Sequence, residues 1–115
     1  QYALGYIYEN GNGVEKDGEK AFSWYRSSML LGQLEAFVNL GLMLANGEFF
    51  PPDIMRAHGL LSVAVALGND DMKRNVSSLA EQLTSEEIDE SQALFNEIME
   101  HLSGLNSDAN QNGEI

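Results

Sequence analysis

A chain of 115 residues can bury the core of one domain without cross-links, and the absence of cysteine excludes disulfides and thiolate metal sites. The formal net charge is -12 and no Lys or Arg follows Arg74, which disfavours nucleic acid as a partner, because nucleic-acid-binding proteins carry clustered basic residues. The longest apolar run, 59–68, is about half of the roughly 20 residues that span a bilayer, so we expect no membrane insertion.

The main signal along the chain is a stretch that recurs thirty-six residues later. Residues 4–32 align with residues 40–68, and the matched pairs are Leu4 with Leu40, Gly5 with Gly41, Gly11 with Gly47, Asp17 with Asp53, Ala21 with Ala57, and Gly32 with Gly68. Periods of this length are typical of stacked helical pairs. The spacing therefore predicts a repeat domain over 1–104, with repeats at 1–35 and 36–70 and a partial third repeat at 71–83.

The first copy predicts two helices joined by a glycine turn. The first helix, 1–10, is closed by Gly11, and Asp17 is placed to cap the second helix, 18–31. The second helix carries an apolar stripe at spacings of three and four, formed by Ala21, Phe22, Trp24, Tyr25, Ser28 and Met29. Because the chain opens inside the first helix of a motif, we expect it to be the C-terminal part of a longer protein.

The second copy predicts helices at 35–46 and 53–67, with a loop that departs from the first copy. Phe50 is expected to fill the gap between the helices, the role we also expect for Val14 in the first copy. Phe49 stands where Gly13 stood, so if Gly13 has a positive φ the second loop must take another path, because bulky residues rarely tolerate that region.

The third copy predicts one helix, over 70–83, in which Leu79 occupies a core position. Thr84 and Glu87 then form a capping box that starts a new helix, 84–104. One side of this helix holds Ile88, Gln92, Phe95, Met99 and Leu102, flanked by Ser91 and Ile98. Such a helix suits the end of a repeat array, where unpaired core surface must be covered. We expect Gly104 to end it and the polar segment 105–115 to be disordered.

With these residues laid out, the chain resembles the Sel-like repeat family, the α/α repeats related to tetratricopeptide repeats. The residues that carry the resemblance are Leu4, Gly5, Tyr8, Gly11, Gly13, Val14, Asp17, Lys20, Ala21, Trp24, Tyr25 and Gly32, with their counterparts through Gly68. The resemblance implies an all-α fold, a right-handed α/α superhelix of about two and a half helix pairs plus the capping helix. It also implies an adaptor role, with a concave surface lined by the first helix of each pair. Some members belong to the bacterial cell envelope, and the compartment of this chain stays open between cytoplasm and periplasm.

The first helices also present a side that faces away from the core. At roughly 100° per residue, Ala36, Phe37, Leu40, Gly41 and Leu44 cover one side of the 35–46 helix. The opposite side and its equivalents at the repeat offset form a candidate partner-binding face of Tyr2, Tyr6, Asn10, Glu35, Val38, Asn39, Leu42, Asn46 and Arg74. Exposed apolar side chains in a row are typical of interaction sites. The alternative is that Tyr2 and Tyr6 only cover the junction with an upstream repeat.

No residue set predicts catalysis, a cofactor or a metal. His58 and His101 stand alone, the carboxylates of the last helix form a polar face, and Gly11 and Gly13 lack the strand and the Lys-Ser/Thr pair of a phosphate loop. The leading hypothesis is a scaffold that binds another protein or a peptide. The alternatives are a structural cap that ends a longer array without binding anything itself, and self-association through the open repeat end around Tyr2 and Phe22.

Overall fold

The computed structural model describes residues 2–11 and 16–114, with side chains at 5–11 and 16–105, and its described part holds six α-helices. They are α1 (Tyr2–Asn10), α2 (Gly18–Leu30), α3 (Leu34–Asn46), α4 (Ile54–Ala66), α5 (Lys73–Ala80) and α6 (Ser85–Glu114). A 3₁₀ turn, Asp70–Met72, leads into α5. Helices α1 and α2 pack together, as do α3 and α4, and α2 packs on α3, so the predicted all-α repeat architecture is confirmed.

The two copies share their backbone connections as well as their residue types. Asp17 caps α2 by accepting a bond from the Lys20 amide at 3.1 Å, and Asp53 caps α4 from the Arg56 amide at the same distance. The amide of each aspartate also donates to the end of the preceding helix, to Tyr8 O at 2.9 Å and to Leu44 O at 2.8 Å. The predicted cap at Asp17 is therefore confirmed, and its equivalent recurs thirty-six residues later.

Each repeat contains two glycines that set its geometry, and they lie at equivalent positions in the two copies. Gly11 and Gly47 lie in the left-handed region, with φ of 72° and 70°, where a side chain would be strained. Gly41 allows close packing of α3 on α4, because a Cβ there would lie 2.8 Å from the side chain of Leu61. Gly5 holds the same place in the first copy, where a Cβ would lie 2.7 Å from the Tyr25 ring.

The core consists of two clusters of buried side chains. The larger lies between α2, α3, α4 and the middle of α6, and its buried members are Ala21, Tyr25, Phe37, Leu40, Met43, Leu60, Val63, Ala64 and Leu102. The smaller joins Ala57 and Leu61 of α4 to Leu79 of α5. Leu79 therefore holds the core position predicted for it. Tyr25 is fully buried as predicted, whereas Trp24 is only half-buried.

In the second loop, both phenylalanines pack towards α2. The rings of Phe50 and Phe22 meet edge to face, with centroids 5.7 Å apart. Phe49 lies over Gly18, where a Cβ would come within 2.3 Å of its ring. Phe50 thus fills the gap between helices as predicted, while the comparison with Gly13 and Val14 falls outside the described residues.

The last helix starts where the sequence predicts, but it ends later than predicted. Thr84 and Glu87 form the predicted capping box, with bonds of 3.0 and 3.1 Å between the backbone amides and the opposite side chains. The predicted end at Gly104 is wrong, because α6 continues to Glu114. Glycine lowers helix stability by only about 1 kcal/mol and, unlike proline, leaves the backbone hydrogen bonds intact. The side chains after Leu105 lie outside the described residues, so the domain boundary at 104 and the disordered tail at 105–115 stay predictions.

The third copy and the buried side of α6 differ in detail from the sequence pattern. The helix predicted over 70–83 is a 3₁₀ turn followed by the shorter α5. On α6 the buried side is centred on Ser91 and Leu102, while Ile88 and Gln92 of the predicted stripe are exposed. The reason is the direction in which α6 crosses α4, which the periodicity of one helix cannot give.

Candidate interaction face

The predicted partner-binding residues lie on α1, α3 and α5, and we call them the first-helix face. On α1, the side chain of Tyr6 is 47% exposed. Asn10, one turn later, is also exposed, and its Nδ2 donates to the carbonyl of Tyr6 at 2.9 Å. The side chain of Tyr2 lies outside the described residues. The α1 part of the face thus presents a phenol beside a terminal amide.

On α3, the face combines apolar and polar side chains. Val38 and Leu42 are half-buried, the former against the larger core cluster and the latter against the smaller one. Glu35 and Asn46, at opposite ends of the helix, are exposed. The Oδ1 of Asn46 accepts a bond from the Glu48 amide at 2.8 Å, which fixes the start of the following loop. The predicted opposite side of α3 is therefore partly open to solvent along its whole length.

Asn39 sits at the edge of this face and is held by a buried phenol. The hydroxyl of Tyr25 donates to Glu9 Oε1 at 2.7 Å and accepts from Asn39 Nδ2 at 3.3 Å. Since Tyr25 belongs to α2, this network ties α1, α2 and α3 together. In the second copy the counterparts of Tyr25 and Glu9 are Leu61 and Ala45, so the network is specific to the first copy.

The α5 part of the face is limited to Arg74, which is exposed and makes no ion pair with a described residue. Exposed aromatic, aliphatic, amide and guanidinium groups are the kinds of side chain that bind peptide segments in protein interfaces. The described side chains of this face are therefore of the kinds that suit binding.

The two histidines, which the sequence pattern left without a role, both connect α6 to the second helices. Nδ1 of His58 on α4 lies 2.6 Å from Oγ of Ser91, which is 1% exposed. Burial lowers the pKa of His58 from its ordinary value, because desolvation disfavours the charged ring. His101 Nε2 donates to the carbonyl of Leu30 at 3.1 Å, near the end of α2. No sequence signal pairs a histidine with a partner on another helix, so this role could not be predicted.

The part of the chain that the structure describes contains neither a cluster of metal-ligating side chains nor a helix able to cross a membrane. No group of three or more His, Cys, Asp or Glu side chains there could hold a metal ion. Among the described helices, none combines the length and apolar character needed to cross a membrane.

Comparison with known proteins supports the repeat architecture. A family model described as Sel1 repeat matches residues 1–32 and 35–69, which is more than half of the chain. No curated protein matches significantly. Among solved structures the chain is similar to c5321, a protective antigen present in uropathogenic Escherichia coli strains that displays an SLR fold. The TM-score is 0.81 at 24% sequence identity, and the match covers 87% of this chain and 22% of that chain. The likeness to c5321 concerns the fold, and this chain spans about a fifth of that protein's length.

Proposed function

The chain belongs to the Sel1 repeat family, and we propose that it is a protein-interaction scaffold whose first-helix face binds an extended segment of a partner protein. Sel1 repeat proteins are generally non-catalytic scaffolds that bind other proteins. The first helices of stacked pairs provide the extended surface that such repeat proteins use.

The observation that carries this proposal is the row of partly exposed side chains on neighbouring repeats. Tyr6 on α1 is 47% exposed, and Val38 and Leu42 on α3 are half-buried rather than buried. Aromatic and aliphatic side chains that are only partly covered still have apolar surface to bury against a partner. Asn10 and Glu35 add hydrogen-bonding groups beside them.

The test is capture of a partner by the intact protein from extracts of its own host, followed by quantification with variants. We expect the Tyr6→Ala and Leu42→Ala double variant to retain at least about tenfold less of the partner, which corresponds to about 1.4 kcal/mol. Helical content and the melting transition are measured in parallel, because Leu42 also contacts the smaller core cluster.

A matched control is Leu67→Ala, since Leu67 is 36% exposed and lies after α4, outside the first-helix face. The control should retain the partner at the wild-type level. Equal capture by the wild type and the folded double variant would contradict a binding role for this face.

The alternative is a structural cap that ends a longer array. It is supported by α6, which packs on α4 and reaches α2 through Leu102 and His101. If partner capture by the full-length protein survives the double variant but is lost when upstream repeats are altered, the cap is the better description. Self-association remains a separate outcome, which light scattering of the purified protein over a range of concentrations detects.

A further inference from the structure

The sequence Asn-Gly ends the first helix of both repeats, at Asn10-Gly11 and at Asn46-Gly47. Because glycine has no side chain, its backbone nitrogen can approach the side-chain amide of the preceding asparagine, and the two groups can react. Two further Asn-Gly pairs, 12–13 and 112–113, lie outside the residues whose side chains the structure describes. For the two described pairs the sequence allows the same reaction, and the surroundings of each pair decide how fast it runs.

In the first copy, hydrogen bonds hold both reacting groups. The amide of Gly11 donates to the carbonyl of Ile7, and Nδ2 of Asn10 donates to the carbonyl of Tyr6, both at 2.9 Å. Both acceptors lie one turn back on α1, so the glycine nitrogen and the asparagine side chain are directed back along the helix. Each bond must break before the two groups can react, which costs free energy.

The second copy lacks both of these restraints. Among the described residues, the amide of Gly47 has no counterpart of the bond from Gly11, and Nδ2 of Asn46 has no hydrogen-bond partner. Asn46 is exposed and Gly47 is half-buried, so water has access to the pair. The glycine nitrogen and the leaving amide group are therefore not held by the fold as their counterparts in the first copy are.

The side chain of Asn46 is turned towards the following loop instead. Its Oδ1 accepts a bond from the amide of Glu48 at 2.8 Å, which closes a ring that contains the nitrogen of Gly47. The ring limits the distance between Cγ of Asn46 and that nitrogen. When the nitrogen attacks Cγ, negative charge develops on Oδ1, to which the N–H of Glu48 is already bonded. A donor placed in this way lowers the barrier to attack on a carbonyl group.

We propose that Asn46 is a site of spontaneous deamidation and that the fold protects Asn10 from the same reaction. The nitrogen of Gly47 loses its proton to water and forms a bond to Cγ of Asn46. The bond between Cγ and Nδ2 breaks, and Nδ2 takes up a proton from water and leaves as ammonia. Water then opens the resulting succinimide ring at either carbonyl, which gives aspartate or isoaspartate. One water is consumed and one ammonia is released, and no other reactant is needed.

The product changes the end of α3. It adds one negative charge to a chain whose net charge is -12, at the C-terminus of a helix, where the helix dipole disfavours it. Isoaspartate also places Cβ in the backbone, immediately before the loop that leads to the Asp53 cap of α4. The reaction requires no partner, so it runs whether or not the first-helix face binds one.

The test is incubation of the whole chain in mildly alkaline buffer, folded and in urea, followed by proteolysis and mass spectrometry. In the folded protein, Asn46 should be converted at least about tenfold faster than Asn10, because two hydrogen bonds protect the first copy. In urea the two sites should react at similar rates, since both lose their surroundings and keep the same glycine neighbour. Circular dichroism at the start of the incubation checks that the chain without urea is helical.

Asn46→Gln is the matched variant, because glutamine keeps the side-chain amide but forms the larger ring far more slowly. The peptide that contains the variant residue should gain no mass over the period in which the wild type is converted. The rate at Asn10 should be the same in both proteins, which shows that the variant leaves the first repeat unchanged.

Equal rates at Asn46 and Asn10 in the folded protein would overturn the proposal. A rate difference that persists unchanged in urea would do the same, because it would then come from the sequence and not from the fold. Aspartate without isoaspartate at position 46 also contradicts the proposal, because direct hydrolysis by water does not pass through the succinimide. The result of partner capture with the Tyr6 and Leu42 variant bears on the first-helix face alone and leaves these rates unaffected.

Discussion

Ser28 is fully buried in α2, and its Oγ has no hydrogen-bond partner among the described residues. Its counterpart in the second copy, thirty-six residues later, is Ala64, which is also fully buried. The same position of the repeat therefore carries a hydroxyl group in the first copy and none in the second. A buried hydroxyl without a partner costs about 1–3 kcal/mol, because it has lost its hydrogen bonds to water.

We expect Ser28→Ala to raise the free energy of unfolding by about 1 kcal/mol or more, measured by urea denaturation. Part of this gain reflects the higher helix propensity of alanine, up to roughly 0.7 kcal/mol. Ser27→Ala measures the contribution of helix propensity alone, since Ser27 is the exposed neighbour on the same helix. If both variants change stability equally, the buried hydroxyl of Ser28 carries no cost.

At the scale of single elements, the contact between α4 and α6 includes a titratable group, since Nδ1 of His58 lies 2.6 Å from Oγ of Ser91. Burial lowers the pKa of His58 below the ordinary value of about 6.5 and so favours the neutral ring in the folded protein. The unfolded chain therefore takes up the proton first as the pH falls. The contribution of neutral His58 to the free energy of unfolding is fully present above about pH 6.5. It is lost as the pH falls from there through the lower pKa of the folded protein.

The expected result is a fall in the free energy of unfolding below about pH 6.5 that is steeper in the wild type than in His58→Asn. Asparagine cannot titrate in this range, yet its amide can reach the Ser91 hydroxyl that Nδ1 of His58 contacts. Subtracting the two pH profiles leaves the contribution of His58, because every other side chain is common to both proteins. Identical slopes in both proteins would show that His58 does not contribute.

The helices and turns of the two repeats could be predicted because the same residue pattern occurs twice, at a fixed offset. Asp17 and Asp53 both cap their helices, and Gly11 and Gly47, which follow the first helices, have nearly the same positive φ. The course of α6 could not be predicted, since it has no second copy in the chain. Its contact with α4 depends on Gly59, whose counterpart Ser23 carries a side chain.

The same distinction applies to the candidate surfaces. The repeat offset identified Tyr6 and Leu42 as equivalent, outward-facing positions, and both retain partial exposure in the structure. A groove between α2, α4 and α6 is lined by Phe22, Leu60 and Ile98, which are far apart in sequence and belong to three helices. Only the direction in which α6 crosses the second helices brings them together, so a pattern read along the chain does not reveal this surface.

At the scale of the whole molecule, α6 joins the two repeats and closes their shared core. Leu102 near its middle belongs to the larger cluster, and its earlier turns lie on α4 at Gly59. A side chain at Gly59 would meet Leu94 at 3.0 Å and the Ser91 carbonyl at 3.4 Å. Because the Ser91 carbonyl belongs to the backbone, α6 itself must move to make room for a large side chain.

Gly59→Leu should therefore displace α6 from α4 and lower the free energy of unfolding by about 1–3 kcal/mol, measured by denaturant and thermal unfolding. Ser23→Leu is the matched control, because Ser23 holds the same place on α2 and is exposed. Hydrogen exchange should show faster exchange in α6 and at the end of α2 in Gly59→Leu, and unchanged rates in the control. If both variants have wild-type stability and exchange, the core does not depend on α6 for closure, and the helix pairs hold it by themselves.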